Sequence, residues 1–137
     1  CRFCEIANGC FFESEILRTP FVVAVLDHRP ITIGHTLVLP RDHYNDIMTM
    51  PEEVYSDMYL VARKLAEALL EAIPADGIML VTATGVAQAI KHAHVHIIPR
   101  FPSDAFSEFG RIARSNDGYT ESARAAIIDK VKMALNI

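Results

Sequence analysis

Three histidines recur at every second position in one short run of the sequence: His92, His94 and His96. The apolar residues around them are typical of a β-strand. Because side chains alternate across a strand, the three imidazoles are predicted to share one face. Imidazoles act as nucleophiles and general acids or bases, and they also bind zinc and other transition metals. The run therefore predicts either a reactive site or a purely metal-binding site.

A second reactive group lies at the N-terminal end, where Cys1 and Cys4 form a CxxC pair. In a cytosolic protein such a pair indicates a metal or redox feature before a structural disulfide. Two free thiols are the alternative interpretation. The third cysteine, Cys10, has no nearby partner and is interpreted as a small, semi-buried residue.

The elements that position these residues can be predicted from hydrophobic periodicity. Apolar, β-branched runs predict four strands, at residues 21–26, 35–40, 78–82 and 93–98. The first two are separated by a short turn around Pro30 and are predicted to be antiparallel neighbours.

Two helices are predicted. Thr49 and Glu52 have the spacing of a capping box, with Pro51 in the first turn, so a helix is expected to begin there and to run to about Ile73. Its apolar stripe is wide enough to cover a sheet and also contact a partner subunit. A last helix is expected over residues 120–136. This order of elements predicts an α+β domain with an antiparallel sheet.

Composition narrows the class of protein. The 137 residues are 51% hydrophobic, enough for one buried domain spanning residues 1–137. The net charge of -4 and the lack of a Lys/Arg cluster argue against a nucleic acid partner. No apolar run is long enough to span a membrane and the first residues do not resemble a signal peptide, so a cytoplasmic protein without a membrane partner is expected.

Together the motifs resemble those of the histidine triad (HIT) family. The similarity covers the chain from Cys1 to Arg100, and it includes the CxxC pair, Asp27 at the end of an early strand, the run from Gly34 to His43, Gln88 and the three histidines. The resemblance implies the fold of that family, a five-stranded antiparallel sheet with two helices. It also implies a homodimer formed through the long helix and a strand.

The resemblance implies that His94 is the nucleophile, attacking the α-phosphorus of a purine nucleotide to form a nucleotidyl-histidine. That attack requires a neutral ring protonated at Nδ1, and the backbone near His92 could supply the carbonyl that accepts this proton. His96 is expected to contact the α-phosphate or the leaving group, where a protonated imidazole would neutralise charge and could donate a proton.

Three further residues receive roles from the resemblance. Gln88 matches a glutamine that hydrogen-bonds near the scissile bridge, although it could also be an ordinary loop amide. Asp27 matches the acidic residue that binds the ribose hydroxyls, and its alternative role is that of a turn former before Pro30. His35 matches a histidine that supports the active-site network, for which a structural role is equally open.

The CxxC members of the family imply a zinc site as well. Carried over to this chain, its ligands are Cys1, Cys4, His43 and His92. Two thiolates and two imidazoles make a closed tetrahedral set, which is typical of structural rather than hydrolytic zinc.

One segment departs from the family pattern. The residues before the triad, 82–88, lack the usual Asn and have Ala87 where Gly is common, so Thr84 or amides near Gly85 are expected to contact phosphate instead. The predicted function is hydrolysis of purine nucleoside 5'-phosphoramidates or related nucleotide conjugates. The alternatives are a dinucleoside polyphosphate hydrolase, or a nucleotide-binding or zinc-stabilised interaction protein with vestigial activity. The region after Arg100 carries no recognisable chemistry that would identify the leaving group.

Overall fold

A computed structural model describes residues 1–102, 104 and 118–137 of the chain. Its centre is a five-stranded antiparallel sheet with the strand order β1-β2-β3-β5-β4. The strands are β1 (Glu15–Arg18), β2 (Val22–Leu26), β3 (Thr36–Pro40), β4 (Gly77–Val81) and β5 (Val95–Arg100). The α-helices are α1 (Arg2–Ala7), α2 (Glu52–Ala72) and α3 (Glu121–Ala134).

Both faces of the sheet are covered, because alternate residues of β2 and β3 point to opposite sides. On one side, α2 and α3 pack through Met58, Leu65 and Val131 against alternate strand residues such as Ala24 and Val38. The other side carries a smaller apolar cluster between the short helix α1 and β2 and β3, which comprises Phe3, Ala7, Val23, Val25, Leu37 and Leu39. We refer to this second side as the α1 face.

The fold class expected from the sequence is confirmed, with β2 and β3 as antiparallel neighbours. The expected two helices are present, but α1 makes a third, and β1 completes the five strands. Both additional elements are very short, of 6 and 4 residues. Segments of this length have too few residues to show a periodic pattern.

The predicted capping box of the long helix is wrong. Helix α2 begins at Glu52 with Pro51 as its N-cap residue and has no side-chain cap. Thr49 instead closes a capping box with Asp46 around the single turn Ile47–Thr49. In α3, by contrast, the Thr120 side chain accepts a hydrogen bond from the amide of Ala123 and caps the helix.

The last predicted strand begins later than expected, which changes how the three histidines are held. Only His96 lies within β5, and His92 and His94 precede it. Alternation along a strand therefore does not position the first two rings. All three nevertheless lie on the α1 face, since the Phe3 ring contacts His92 and His94, and His96 pairs with Leu37.

Within the described residues, no helix is sufficiently long and apolar to cross a membrane.

Candidate active site

A pocket of about 860 Å³ crosses the α1 face of the sheet. Its floor includes four residues that pair directly across neighbouring strands: Val25 of β2, Leu37 of β3, His96 of β5 and Val81 of β4. Because paired residues point to the same side of a sheet, this row gives the direction of the pocket. It runs from β2 to the edge strand β4, and His96 lies between the two ends.

The two ends differ in chemistry. The end over β2 and β3, here called the α1 half, is covered by Phe3 and Ile6 and bordered by charged residues, namely Arg2, Glu13, Asp27, Arg29 and Arg124. The end over β4, here called the β4 half, is lined by Met79, Val81, Ala83 and Ala87. Among the described lining residues, the β4 half therefore carries no charged side chain. The pocket can hold a polar group at one end and an apolar group at the other.

His94 has the hydrogen bonding that the nucleophile hypothesis requires. Its Nδ1 donates to the backbone carbonyl oxygen of His92 across 2.7 Å. This bond fixes the proton on Nδ1, so Nε2 carries the lone pair. The ring lines the pocket and is 6% exposed, with Phe3 packed edge-on against it at a centroid distance of 5.0 Å. When the ring is neutral, an electrophile in the pocket would meet the tautomer whose Nε2 can react.

The carbonyl of His92 is itself held by a second donor, Gln88. The amide nitrogen Nε2 of Gln88 donates to the His92 carbonyl over 3.2 Å and to the Asn45 carbonyl over 2.6 Å. Gln88 is 7% exposed, and the described pocket lining contains its neighbours Ala87 and Ala89 but not Gln88. Thr84 also lies outside that lining and is the N-cap residue of the turn Gly85–Ala87. Neither residue is part of the described pocket wall, and Gln88 acts on His94 only through the carbonyl of His92.

His35 and His96 form a buried pair. The amide of Ile31 donates to Nδ1 of His35 at 3.1 Å, which leaves the proton of a neutral His35 on Nε2. That Nε2 lies 2.9 Å from Nδ1 of His96 and donates to it, so the His96 proton is on Nε2. A second proton on His96 would place two N–H groups against each other. In this arrangement a neutral His96 donates from Nε2.

Asp27 closes a turn and also lines the pocket. Its Oδ1 accepts a hydrogen bond from the amide of Arg29 at 2.9 Å, which closes a turn directly after β2. The carboxylate is also 2% exposed and lines the α1 half of the pocket. Its Oδ2 lies 3.6 Å from Nδ1 of His35. Nδ1 of His28 lies 3.4 Å from Oδ1 of the same carboxylate. Each carboxylate oxygen has two lone pairs and can accept more than one hydrogen bond.

The four predicted metal ligands come together beside the pocket. One ligand atom each from Cys1, Cys4, His43 and His92 lies within 4.8 Å of the others. The Sγ atom of Cys4 is 3.3 Å from Nδ1 of His43 and 3.5 Å from Nδ1 of His92, and the Cys1 sulfur is 3.7 Å from the latter. Tetrahedral zinc with ordinary bond lengths separates sulfur and nitrogen ligands by about 3.6 Å. The cluster therefore fits a four-coordinate zinc ion.

Both histidines of this cluster present Nδ1 to it and use Nε2 elsewhere. Nε2 of His92 donates to the carbonyl of Pro40 at 2.9 Å, and Nε2 of His43 to Oδ1 of Asn45 at 3.2 Å. Such outer hydrogen bonds orient metal-binding imidazoles and fix their tautomers. Burial lowers the pKa of His92, although the hydrogen bond to the Pro40 carbonyl has the opposite effect. The lowered pKa favours the neutral ring that a metal ligand requires.

Sequence reasoning missed three residues at the pocket. Phe3 forms part of its wall, although the surrounding CxxC pair drew attention only to the cysteines. Tyr119 and Arg124 also line the pocket, so the region after Arg100 contributes to the site after all. The Tyr119 hydroxyl accepts a hydrogen bond from the amide of Gly34 at 2.9 Å. No local pattern in the sequence pairs residues so far apart in the chain.

The chain is similar to proteins of one family. The HIT domain family matches residues 13–103. An uncharacterized HIT-like protein of Saccharolobus solfataricus is 35% identical over 136 residues, covering 96% of this chain and 98% of that protein. The adenylylsulfatase HINT3 of Arabidopsis thaliana is 31% identical over 106 residues, covering 76% of this chain and 54% of that protein.

Solved structures include a close match to the fold. A zinc-bound histidine triad family protein of Mycobacterium smegmatis superposes with a TM-score of 0.82 and is 31% identical. The match covers 99% of this chain and 93% of that protein.

Proposed function

This chain belongs to the HIT domain family, and we propose that it hydrolyses purine nucleoside 5'-phosphoramidates or related nucleotide conjugates through a nucleotidyl-His94 intermediate. The observation that carries the proposal is the 2.7 Å hydrogen bond from Nδ1 of His94 to the His92 carbonyl. It leaves Nε2 free of a proton in a pocket large enough for a nucleotide. The adenylylsulfatase relative supports an adenylyl group as the part transferred.

In the proposed reaction, Nε2 of His94 attacks the α-phosphorus and the bond from phosphorus to the leaving nitrogen breaks. The ring then carries a positive charge, which the carbonyl of His92 stabilises through the same Nδ1 hydrogen bond. His96 donates a hydrogen bond from Nε2 to the α-phosphate or to the departing nitrogen, which takes a proton from solvent water and leaves as the amine. In the second step water attacks phosphorus and the bond from phosphorus to Nε2 of His94 breaks. The attacking water loses a proton to solvent, so the nucleoside monophosphate is released and His94 is again neutral. Catalysis here consists mainly of positioning and charge stabilisation.

The two ends of the pocket suggest the orientation of the substrate. The nucleoside occupies the α1 half, with the base against Phe3 and Ile6 and the ribose hydroxyls on Asp27. The leaving group then lies beyond His96, in the β4 half. Since the described lining of that half is apolar, an uncharged, apolar leaving group fits it better than a chain of phosphates. This contrast favours a phosphoramidate over the alternative substrate, a dinucleoside polyphosphate.

Zinc is proposed to be a structural cofactor. The spacing of the Cys1, Cys4, His43 and His92 ligand atoms and the zinc-bound relative support it. When bound, zinc would supply a fixed link between the N-terminal segment and His92, and it would take no part in bond breaking.

A homodimer is proposed through α2 and β4. Strand β4 is an edge of the sheet, and Leu80 in its middle is exposed. Helix α2 also leaves Tyr55, Leu60 and Leu70 exposed. An unpaired edge beside exposed apolar side chains is a surface that a second copy of the chain could cover. Sedimentation of wild type and of a Leu80→Lys variant tests this: the variant is expected to shift towards monomer.

The proposed reaction is tested by replacing His94. His94→Ala should abolish turnover of adenosine 5'-phosphoramidate but retain binding of AMP, because the ring reacts rather than filling a core. Ser14→Ala is the control: Ser14 also lines the pocket and has no proposed part in the reaction. Turnover by His94→Ala at near the wild-type rate would refute the nucleophile assignment.

The leaving-group assignment needs a separate test. We expect kcat/KM to be higher for an adenosine phosphoramidate with an apolar amine than for diadenosine polyphosphates. Val81→Lys adds a cation to the β4 half and should narrow this difference. If wild type prefers the polyphosphates, the alternative function is correct. If AMP and all these substrates fail to bind, the chain is better explained as an interaction protein.

A further inference from the structure

Phe3 lies between the metal cluster and the reactive histidine. In the sequence it is flanked by two of the four metal ligands, Cys1 and Cys4. In space its ring packs edge-on against His92, a third ligand, at a centroid distance of 5.9 Å and against His94 at 5.0 Å. The side chain is buried, with 7% exposed, and it forms part of the pocket wall. A single ring therefore contacts both sites.

The helix that carries Phe3 is short, and the metal cluster supplies two of the contacts that hold its N-terminal end. Helix α1 has only 6 residues and no side-chain cap, and isolated helices of this length are unstable. Its C-terminal end is held by the Arg18 guanidinium, which donates to the Ala7 carbonyl at 2.7 Å. At its N-terminal end, the Cys1 and Cys4 side chains are directed at His43 and His92. Arg2 donates to Nε2 of the exposed His28 at 3.1 Å, and Phe3 packs in the apolar cluster of the α1 face.

A second connection reaches His94 through the backbone. The His92 ring belongs to the metal cluster. The backbone carbonyl of the same residue accepts the hydrogen bond from Nδ1 of His94. Metal binding to His92 thus also restrains the group that fixes the His94 tautomer. Of the two connections, only the one through Phe3 can be removed without touching a metal ligand or the reactive ring.

We propose that Phe3 is a positioning residue that couples metal binding to nucleotide binding: with Cys1 and Cys4 ligated, α1 holds Phe3 against His94 and closes the wall of the pocket. Without the metal, the first turn of α1 loses the restraint from both cysteines, and Phe3 is held less firmly against His94. This inference rests on the proposed nucleotide-binding function. Coupling between two sites is reciprocal, so a nucleotide must tighten zinc binding by the factor by which zinc tightens nucleotide binding.

The test uses the binding of AMP rather than turnover. Calorimetric Kd values for AMP are compared between zinc-loaded and chelator-treated protein, for wild type, Phe3→Ala and Phe11→Ala. Phe11 is the matched control, because it lines the same pocket but is not flanked by metal ligands. Removal of zinc should weaken AMP binding to wild type and to Phe11→Ala by fivefold or more, roughly the lower end of typical coupling. In Phe3→Ala this ratio should approach one.

The reciprocal measurement starts from the zinc-loaded protein. Zinc affinity is determined by competition with a chromophoric chelator, with and without saturating AMP. In wild type, AMP should tighten zinc binding by the same factor by which zinc tightens AMP binding. In Phe3→Ala, AMP should have little effect on zinc affinity. The conservative Phe3→Leu should retain part of the coupling. Zinc affinity independent of AMP in wild type, or undiminished coupling in Phe3→Ala, would overturn the inference. Absence of AMP binding to zinc-loaded wild type would instead overturn the proposed function and this inference with it.

Discussion

Replacing Asp27 gives a quantitative test of how the nucleoside is bound. The carboxylate is 2% exposed, so solvent would screen its bonds to a ribose very little. Hydrogen bonds to a charged acceptor contribute about 1.5 to 3 kcal/mol. Since about 1.4 kcal/mol corresponds to a factor of ten, Asp27→Ala should lower kcat/KM roughly tenfold to a hundredfold. The change should appear with ribonucleoside substrates and be small with their 2'-deoxy analogues.

Asp27→Ala would also disturb the turn after β2, because Oδ1 of Asp27 accepts a hydrogen bond from the amide of Arg29. Asp27→Asn separates the two roles. Its side-chain oxygen can still accept from Arg29 and keep the turn, while the charge at the ribose is lost. We expect Asp27→Asn to retain the wild-type melting temperature but to show most of the loss in kcat/KM.

The assay is a double-mutant cycle on kcat/KM. Wild type and each variant are measured with the ribo- and 2'-deoxyribonucleoside phosphoramidate. If Asp27 binds the hydroxyl, removing that hydroxyl costs wild type much more than it costs the variant. Strictly additive losses would refute the contact and leave Asp27 only as a turn former.

Further predictions concern metal content, the histidine pair and alkaline stability. Cys4→Ser should lower both the zinc content and the melting temperature, whereas Cys10→Ser should alter neither; equal zinc content in both variants would contradict the ligand assignment. His35→Ala removes the donor that fixes His96 as the Nε2–H tautomer, so kcat should fall by a larger factor than KM changes. An unaffected kcat would show that the His35–His96 hydrogen bond is not needed for turnover. Burial raises the pKa of Tyr119 to about 12. The folded state therefore holds this proton more tightly than the unfolded state, whose tyrosine has a pKa of about 10, so the free energy of unfolding should fall between about pH 10 and pH 12. Tyr119→Phe should reduce that fall, and equal slopes for the two proteins would contradict this expectation.

The sequence predicted those parts of the fold that have a strong periodic signal. Strands β2 to β5 and helices α2 and α3 are long enough, or apolar enough, to be recognised from their own residues. The very short α1 and β1 depend on contacts with distant segments, as the bond from Arg18 to the Ala7 carbonyl illustrates. Their stability comes from packing rather than from local propensity.

The sequence predicted which residues form the site, but it did not predict the hydrogen bonds and long-range contacts that hold them. The four metal ligands were identified from the CxxC pair and the resemblance to a family, and they do come together. The tautomers could not be predicted, because they depend on the amide of Ile31 and the carbonyl of His92. Likewise, Tyr119 is brought to the pocket by the packing of the C-terminal segment against Gly34, which no spacing in the sequence encodes.

The stereochemical course at phosphorus tests the central claim most directly. An adenosine 5'-phosphoramidothioate that is chiral at the α-phosphorus is hydrolysed in heavy-oxygen water, and the configuration of the resulting thiophosphate is determined. Attack by His94 followed by attack by water comprises two in-line displacements, each of which inverts the configuration. The account therefore predicts net retention. Net inversion would mean that water attacks the substrate directly, and it would contradict a covalent nucleotidyl-His94 intermediate.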